Sequence, residues 1–299
     1  MHVLITGGTG LIGRHLSHRL LASGDQVTVL SRRPAQVGNL CGNGARGIAN
    51  RVELGDEQVD AVVNLAGAPI ADRPWTAKRK AELWASRVSL TERLVAWIDQ
   101  RSEKPATLIS GSAVGWYGDG GELPLTEDSA ARPAYTHTLC DAWEAAARRA
   151  SAHGVRVCLV RTGLVLAPGE GFLKRMLLPF RLGLGGRLGS GQQYMSWVHL
   201  DDEVGIILHL LRHADLKGVF NATAPNPVTN REFTSTLAAT LHRPAIFPVP
   251  ALVLKAGLGE MATLLLMGQN ARPARLQEVG YRFQFSQLDQ ALKDVVGEH

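Results

Sequence analysis

Glycines at the end of an apolar run are the first residues in this chain with chemistry to do. Val3-Leu4-Ile5-Thr6 leads into Gly7-Gly8-Thr9-Gly10-Leu11-Ile12-Gly13, and an amphipathic stretch follows to Gly24. Strand, glycine turn and helix in that order open a βαβ unit. The first glycines permit a tight turn off the strand, Gly10 lets the backbone approach a pyrophosphate, and Gly13 lets the helix pack close to the sheet. The helix N-terminus behind them offers free N–H groups and the positive end of a dipole. Thr6, Gly7, Gly10, Leu11, Ile12 and Gly13 are therefore candidate contacts to a dinucleotide; the alternative is a glycine-rich turn with no ligand.

The next apolar run, Val27-Thr28-Val29-Leu30, ends in Ser31-Arg32-Arg33. A carboxylate about 20 residues beyond the glycines would bind the ribose 2′-hydroxyl of NAD, and would repel a 2′-phosphate. Ser31 and Arg32 offer a hydroxyl and a forked, charge-assisted donor instead. The pair points to NADP over NAD, unless the arginines only decorate a solvated loop.

The elements that position these residues follow from the rest of the chain. Its 299 residues are 45% hydrophobic and 20% charged, an ordinary globular composition with ample material for a core. The net charge of +5 is spread along the chain without a nucleic-acid motif, so no nucleic-acid partner is expected. Cys41, Cys140 and Cys158 show neither metal spacing nor a disulfide framework, which suits a reducing compartment such as the cytoplasm. No signal peptide and no run of ~18 apolar residues is read, so no membrane span is expected.

A short strand is expected near Val52-Glu53-Leu54, and a buried one at Ala61-Val62-Val63-Asn64-Leu65-Ala66-Gly67. The backbone of Leu65, Ala66 and Gly67 lies where it can cover the adenosine side of a cofactor, or it is a turn stabilised by Asn64. Helical spacing predicts one helix from Thr76, its N-cap, to Gln100. On it, Arg87 faces the cofactor cleft or joins a surface ion pair, and Glu82 is a further candidate. A strand at Thr107–Ser110, a loop over 111–134, a helix from Tyr135 to His153 and a strand from Val155 to Arg161 follow. This alternation predicts an α/β fold with a doubly wound, Rossmann-like parallel sheet. Beyond Thr162 the chain is glycine-rich, then helical again after Trp197-Val198-His199.

Five motifs in order carry a resemblance: Thr6-Gly7-Gly8-Thr9-Gly10-Leu11-Ile12-Gly13, Asn64-Leu65-Ala66-Gly67, Ser110-Gly111-Ser112-Ala113 before Tyr117-Gly118, Arg161-Thr162-Gly163, and Trp197-Val198-His199-Leu200-Asp201-Asp202. The chain resembles an extended short-chain dehydrogenase/reductase of the NAD-dependent epimerase/dehydratase type. Within it, Arg73-Pro74-Trp75-Thr76, Trp143-Glu144 and Gly268-Gln269 are similar to an epimerase-like branch described as sugar-nucleotide epimerases. The resemblance implies an NADP-binding domain of residues 1–165, with 192–225 returning to it. It implies a smaller C-terminal substrate domain of residues 166–191 and 226–299, with the active site in the cleft between.

The family's chemistry pairs a Ser with a Tyr-x-x-x-Lys. The tyrosine exchanges a proton with a substrate oxygen, and the lysine lowers its pKa. Ser112 and Tyr135 match the first two; Leu139 stands in place of the lysine. Arg87 takes the position of a supporting asparagine, and Val165 lies where the family's chain passes the nicotinamide, on the ring or in the core. Met195 and Ser196 stand where an arginine often binds a nucleotide diphosphate. Two functions remain open: an NADP-dependent oxidoreductase or epimerase for a small hydroxyl or carbonyl substrate, and an NADPH-binding regulatory protein with little turnover. Monomer and homodimer are both compatible with the sequence.

Overall fold

The computed structural model describes residues 1–297. Seven strands form one parallel sheet: β1 (His2–Thr6), β2 (Gln26–Leu30), β3 (Arg46–Ile48), β4 (Ala61–Asn64), β5 (Thr107–Ala113), β6 (Arg156–Thr162) and β7 (Gly218–Ala222). Their order is β7-β6-β5-β4-β1-β2-β3. The chain starts in the middle, winds outward through β2 and β3, and returns to build the other half from β4. The crevice for a ligand in such a sheet lies where the winding reverses, outside the carboxyl ends of β1 and β4. The register places Thr6 opposite Asn64 and Asn64 opposite Ser110, so three polar residues line up at that edge.

Helices cover both faces. On one side α1 (Leu11–Ala22), α2 (Val37–Cys41) and α7 (Leu200–Arg212) pack Leu16, Leu20, Ile206, Ile207 and Leu210 against Val3, Ile5, Val29 and Val63. On the other, α4 (Leu90–Asp99) and α5 (Tyr135–Arg148) bring Leu94, Val95, Ile98 and Ala147 over Leu4, Val62 and Leu108, while α3 (Ala77–Trp84) places Leu83 in a separate cluster with Leu139 and Trp143. A second core lies outside the sheet. It joins Leu173, Leu177 and Phe180 of α6 (Gly171–Arg181) with Trp197, with Phe233 and Leu237 of α8 (Asn230–Thr240), and with Leu288, Leu292 and Val295 of the helix Leu288–Val296. Leu164–Leu166, paired in parallel with Trp197–His199, leads from the sheet into it.

Two elements depart from the sequence expectation. Arg51–Leu54 is a 3₁₀ turn rather than a strand, because Asn50 accepts from Val52 N and Glu53 reaches back to Asn50 N in a capping box. The strand that fills the slot beside β2 is Arg46–Ile48. The helix expected to run unbroken to Gln100 contains a π-helical turn at Ala85–Ser89, so α3 and α4 present different faces.

The face of α7 holds one costly group. Glu203 is fully buried, accepts from Thr162 Oγ1 at 2.8 Å, and has no partner for its second oxygen among the described residues. Burial pushes its pKa up to about 8. The folded chain therefore keeps this proton through neutral pH while the unfolded chain releases it near 4.5. A carboxyl whose folded pKa lies above its unfolded value favours folding fully below the unfolded pKa, and loses that contribution as pH rises through the folded one. Between about 4.5 and 8, Glu203→Gln should flatten the decline in melting temperature. Calorimetry showing the same slope in wild type and variant would assign the decline to other groups.

Candidate functional site

The glycine turn is built by close approach. Gly7 adopts φ +71°, and a Cβ there would lie 2.6 Å from the Leu65 backbone. A Cβ on Gly13 would lie 2.5 Å from Gly7 O, so α1 and the turn can touch only through glycine. Gly10 differs. Its added Cβ would meet only Gly7 O, at 3.2 Å, and the space beyond is open. Gly10 is also the N-cap of α1, which has no side-chain cap and no acidic residue in its first turn. The amides of Leu11 and Ile12 at that end thus lack an anionic partner from the chain itself, as a phosphate cradle requires.

Thr6 and Glu82 direct their polar atoms at protein partners. Thr6 is 1% exposed and donates to Asn64 Oδ1 at 2.6 Å. Asn64 Nδ2 in turn donates to Thr91 Oγ1 at 2.8 Å and to Ser110 Oγ at 3.1 Å, tying the strand ends together. Glu82 accepts from Arg79 Nη1 at 2.8 Å, and Arg79 also binds Asp72, so this acid belongs to an ion-pair cluster at the start of α3. Ser31 follows β2, and its Oγ accepts from Arg33 N at 3.1 Å. Arg32 is exposed beside it and has no protein partner among the described residues. Leu65 and Ala66 are half-buried and Gly67 is exposed, immediately beyond β4. Val165 pairs with Val198 in the short parallel ribbon and packs on the first core.

Arg87 sits on the π turn. A Cβ on Gly67 would be 3.0 Å from its Cζ, and its guanidinium lies 5.4 Å from the Trp143 ring. Its one side-chain hydrogen bond is to Ser86 Oγ at 3.5 Å, and burial lowers its pKa. Among the described residues this half-buried guanidinium beside the carboxyl end of β4 has no carboxylate partner.

Ser112 and Tyr135 are not joined by a hydrogen bond among the described residues. Ser112 is 5% exposed and donates to Glu144 Oε1 at 2.8 Å. Glu144 is fully buried and is held by Arg161 through contacts of 2.8 and 3.0 Å and by Arg148 at 2.7 Å. Arg161 lies under the Trp116 ring at 3.5 Å. Tyr135 opens α5, stacks edge-on with Trp75 at 4.9 Å and has Lys80 Nζ 4.5 Å above its ring. Burial raises the Tyr135 pKa, Arg87 draws it back, and Glu260 and Cys140 add to the rise.

Leu139 explains itself here. It is 1% exposed, in a cluster with Trp75, Leu83, Val88, Trp143 and Met261. Two cations stand near Tyr135 without a lysine at this position, and both come from other elements: Lys80 from α3 and Arg87 from the π turn. Sequence reading missed Lys80, Glu144 as the anchor of Ser112, and Trp116 over Arg161. His199 caps α7 through Asp201 N and contacts Asp294 at 3.1 Å. His137 contacts Trp116 O through Nδ1 at 2.6 Å. Ser196 Oγ donates to Gln269 O at 2.6 Å, and Met195 is buried.

Comparison with known proteins agrees with this geometry. The model of the NAD dependent epimerase/dehydratase family matches residues 3–223, and that of a domain of unknown function, DUF1731, matches residues 249–295. The chain is 38% identical to the epimerase family protein YfhF of Bacillus subtilis, over 100% of this chain and 99% of that one. Among solved structures, the human epimerase family protein SDR39U1 (isoform 2), crystallised with NADPH, superposes with a TM-score of 0.89 at 37% identity, covering both chains completely. A nucleoside-diphosphate sugar epimerase from Corynebacterium glutamicum superposes with a TM-score of 0.80 at 31% identity, over 99% of this chain and 58% of that one.

A lysine introduced at position 139 would bury an ammonium among apolar side chains. Leu139→Lys should therefore lower stability by about 3–5 kcal/mol, the range for an uncompensated buried charge. Urea denaturation measures it, and an unchanged midpoint would mean that the cluster lets the side chain escape to water.

Proposed function

Since the chain belongs to the NAD dependent epimerase/dehydratase family, we propose that it is an NADP-dependent oxidoreductase or epimerase acting on a small hydroxyl or carbonyl compound. The observation that carries the reading is the open space at Gly10 before an uncapped helix N-terminus. The residues present fit a dinucleotide. Gly7, Gly10, Leu11, Ile12 and Gly13 would hold the pyrophosphate, Ser31 and Arg32 the 2′-phosphate, and Leu65, Ala66 and Gly67 the adenosine side. Arg87 and Val165 would lie toward the nicotinamide end. Thr6 and Glu82 would serve the site through Asn64 and Arg79. The human relative crystallised with NADPH supports the choice of cofactor. A substrate smaller than a sugar nucleotide suits Met195 and Ser196, which are committed to packing and backbone contacts where a diphosphate-binding arginine would stand.

A bound nicotinamide would supply the hydride chemistry at the substrate carbon. The chain's own task is the proton. Tyr135, with a raised pKa, keeps its proton near neutrality and can donate it to a carbonyl oxygen. Ser112 Oγ donates to Glu144 and the Tyr135 hydroxyl to the Lys80 carbonyl at 3.5 Å, so either would exchange a protein acceptor for the substrate oxygen. The proton retained by Tyr135 favours carbonyl reduction, and the reverse direction gains as pH rises and the phenol ionises. The regulatory reading, NADPH binding with little turnover, draws on the protein acceptors that already hold both hydroxyls.

NADPH should bind more tightly than NADH, and Arg32→Ala should lose about tenfold or more in NADPH affinity, the size of one charge-assisted forked contact. Fluorescence titration with both cofactors checks this, and equal wild-type affinities overturn it. Tyr135→Phe should keep NADPH affinity but lose most turnover in a screen of aldehydes and ketones. Turnover retained by the Phe variant assigns the proton elsewhere; no turnover by wild type across the screen favours the regulatory reading.

A further inference from the structure

Large apolar side chains reach solvent together on one part of this molecule. Leu178 is 67% exposed, Leu182 64%, Ile246 70% and Leu252 78%, and Leu184, Phe247 and Val253 are each more than half exposed. They are neighbours through backbone pairing. Phe247 N donates to Gly185 O at 3.2 Å, Val249 N to Arg187 O at 2.9 Å, and Gly189 N to Val249 O at 2.9 Å. At Gly186 the two segments approach so closely that a Cβ would strike the Phe247 carbonyl. The helix α9 (Ala251–Leu258), sequence ALVLKAGL, extends the surface and contains no buried residue.

The segments that build this surface carry charge of one sign, with Glu170, Glu232 and Glu260 just outside them and Lys293 paired with Asp289. Residues 171–200 and 233–259 contain no Asp or Glu, yet hold Lys174, Arg175, Arg181, Arg187, Arg243 and Lys255. Beside the apolar side chains opens a cavity of about 640 Å³ lined by Arg181, His242, Arg243 and Lys293. Self-association through this face would set these cations against their own copies. Protein interfaces draw their strongest anchors from Trp, Tyr and Arg, with Leu and Val under-represented. Here the exposed residues are Leu, Ile, Val and Phe within a rim of Lys and Arg, the composition that settles into the interface of an anionic bilayer.

We propose that the surface formed by residues 178–187 and 243–255 docks the protein onto a membrane rich in anionic lipids, with the apolar side chains entering the interface and the cations facing the headgroups. No segment crosses the bilayer in this arrangement; among the described residues no helix is long and apolar enough to do so.

The test is co-sedimentation of the full chain with vesicles of phosphatidylcholine alone and of phosphatidylcholine with phosphatidylglycerol. Binding is expected to the mixed vesicles, weakly to the neutral ones, and to fall with added salt. Ile246→Glu together with Leu252→Glu should abolish it. Arg181→Glu and Arg243→Glu should each cut partitioning at least about fivefold, the equivalent of about 1 kcal/mol for a cation near the surface. Val52→Glu, at an exposed apolar residue outside the patch, should change nothing. Circular dichroism of each variant separates misfolding from lost binding. Equal binding to both vesicle types, no binding to either, or a wild-type dimer that Ile246→Glu converts to a monomer would each overturn the proposal, the last in favour of self-association.

Discussion

A carboxylate that never meets water sets the register on which the candidate site depends. Glu144 lies under α5 and receives Ser112 from β5, Arg161 from β6 and Arg148 from its own helix. Slide α5 by one residue and this junction parts, leaving a buried guanidinium and a buried carboxylate unmatched. A pair of this kind adds little net stability over apolar packing, but breaking it is strongly unfavourable. The same helix carries Tyr135, Leu139 and Trp143, with Trp143 Nε1 donating to Thr91 Oγ1 at 3.0 Å. The ionic junction and the Asn64–Thr91 network thus fix where the phenol stands relative to the strand ends.

How legible this was from sequence depended on distance along the chain. The glycine turn could be read because its demands are local. Gly13 is required by contact with Gly7 and Gly8, only a few residues away, and Gly7 by its own positive φ as well as by the distant Leu65. The alternation of strands and helices was legible for the same reason. The capping box at Asn50 and Glu53 was equally local and was overlooked in favour of an apolar pair, Val52 and Leu54; Val52 is in fact 85% exposed. Leu139 was visible as a departure from the expected motif, but its cause was not. Its partners Trp75, Leu83 and Met261 lie far away in sequence, and only the folded chain brings them together. Lys80 was hidden likewise, since it meets Tyr135 across 55 residues. The last helix carries an apolar stripe at Leu288, Ala291, Leu292 and Val295, but its partners were not legible, because it packs into a core made jointly with residues 164–197.

Charged side chains link α1 and α3 to segments far along the chain. Arg14 on α1 donates from Nη2 to both carboxylate oxygens of Glu170 at the start of α6, at 2.6 and 2.8 Å. Lys80 on α3 reaches Glu260 at 2.5 Å, and Arg175 on α6 donates to the carbonyl of Ala71. All three are partly or largely exposed, so water and salt weaken them. The ribbon of Leu164–Leu166 and Trp197–His199 joins the two cores with apolar side chains, since Val198 packs on the first and Trp197 on the second.

The π turn at Ala85–Ser89 has a meaning for the history of the chain as well as its shape. One residue more than an α-helix needs rotates everything downstream by about 100°. Leu83 before the turn serves the cluster around Leu139, while Leu94, Val95 and Ile98 after it serve the sheet core. A one-residue deletion here would leave a perfectly regular helix and yet misalign one of the two faces. Length changes at this point are therefore screened by folding before any effect on Arg87 can be felt, and the irregularity, once acquired, is hard to lose.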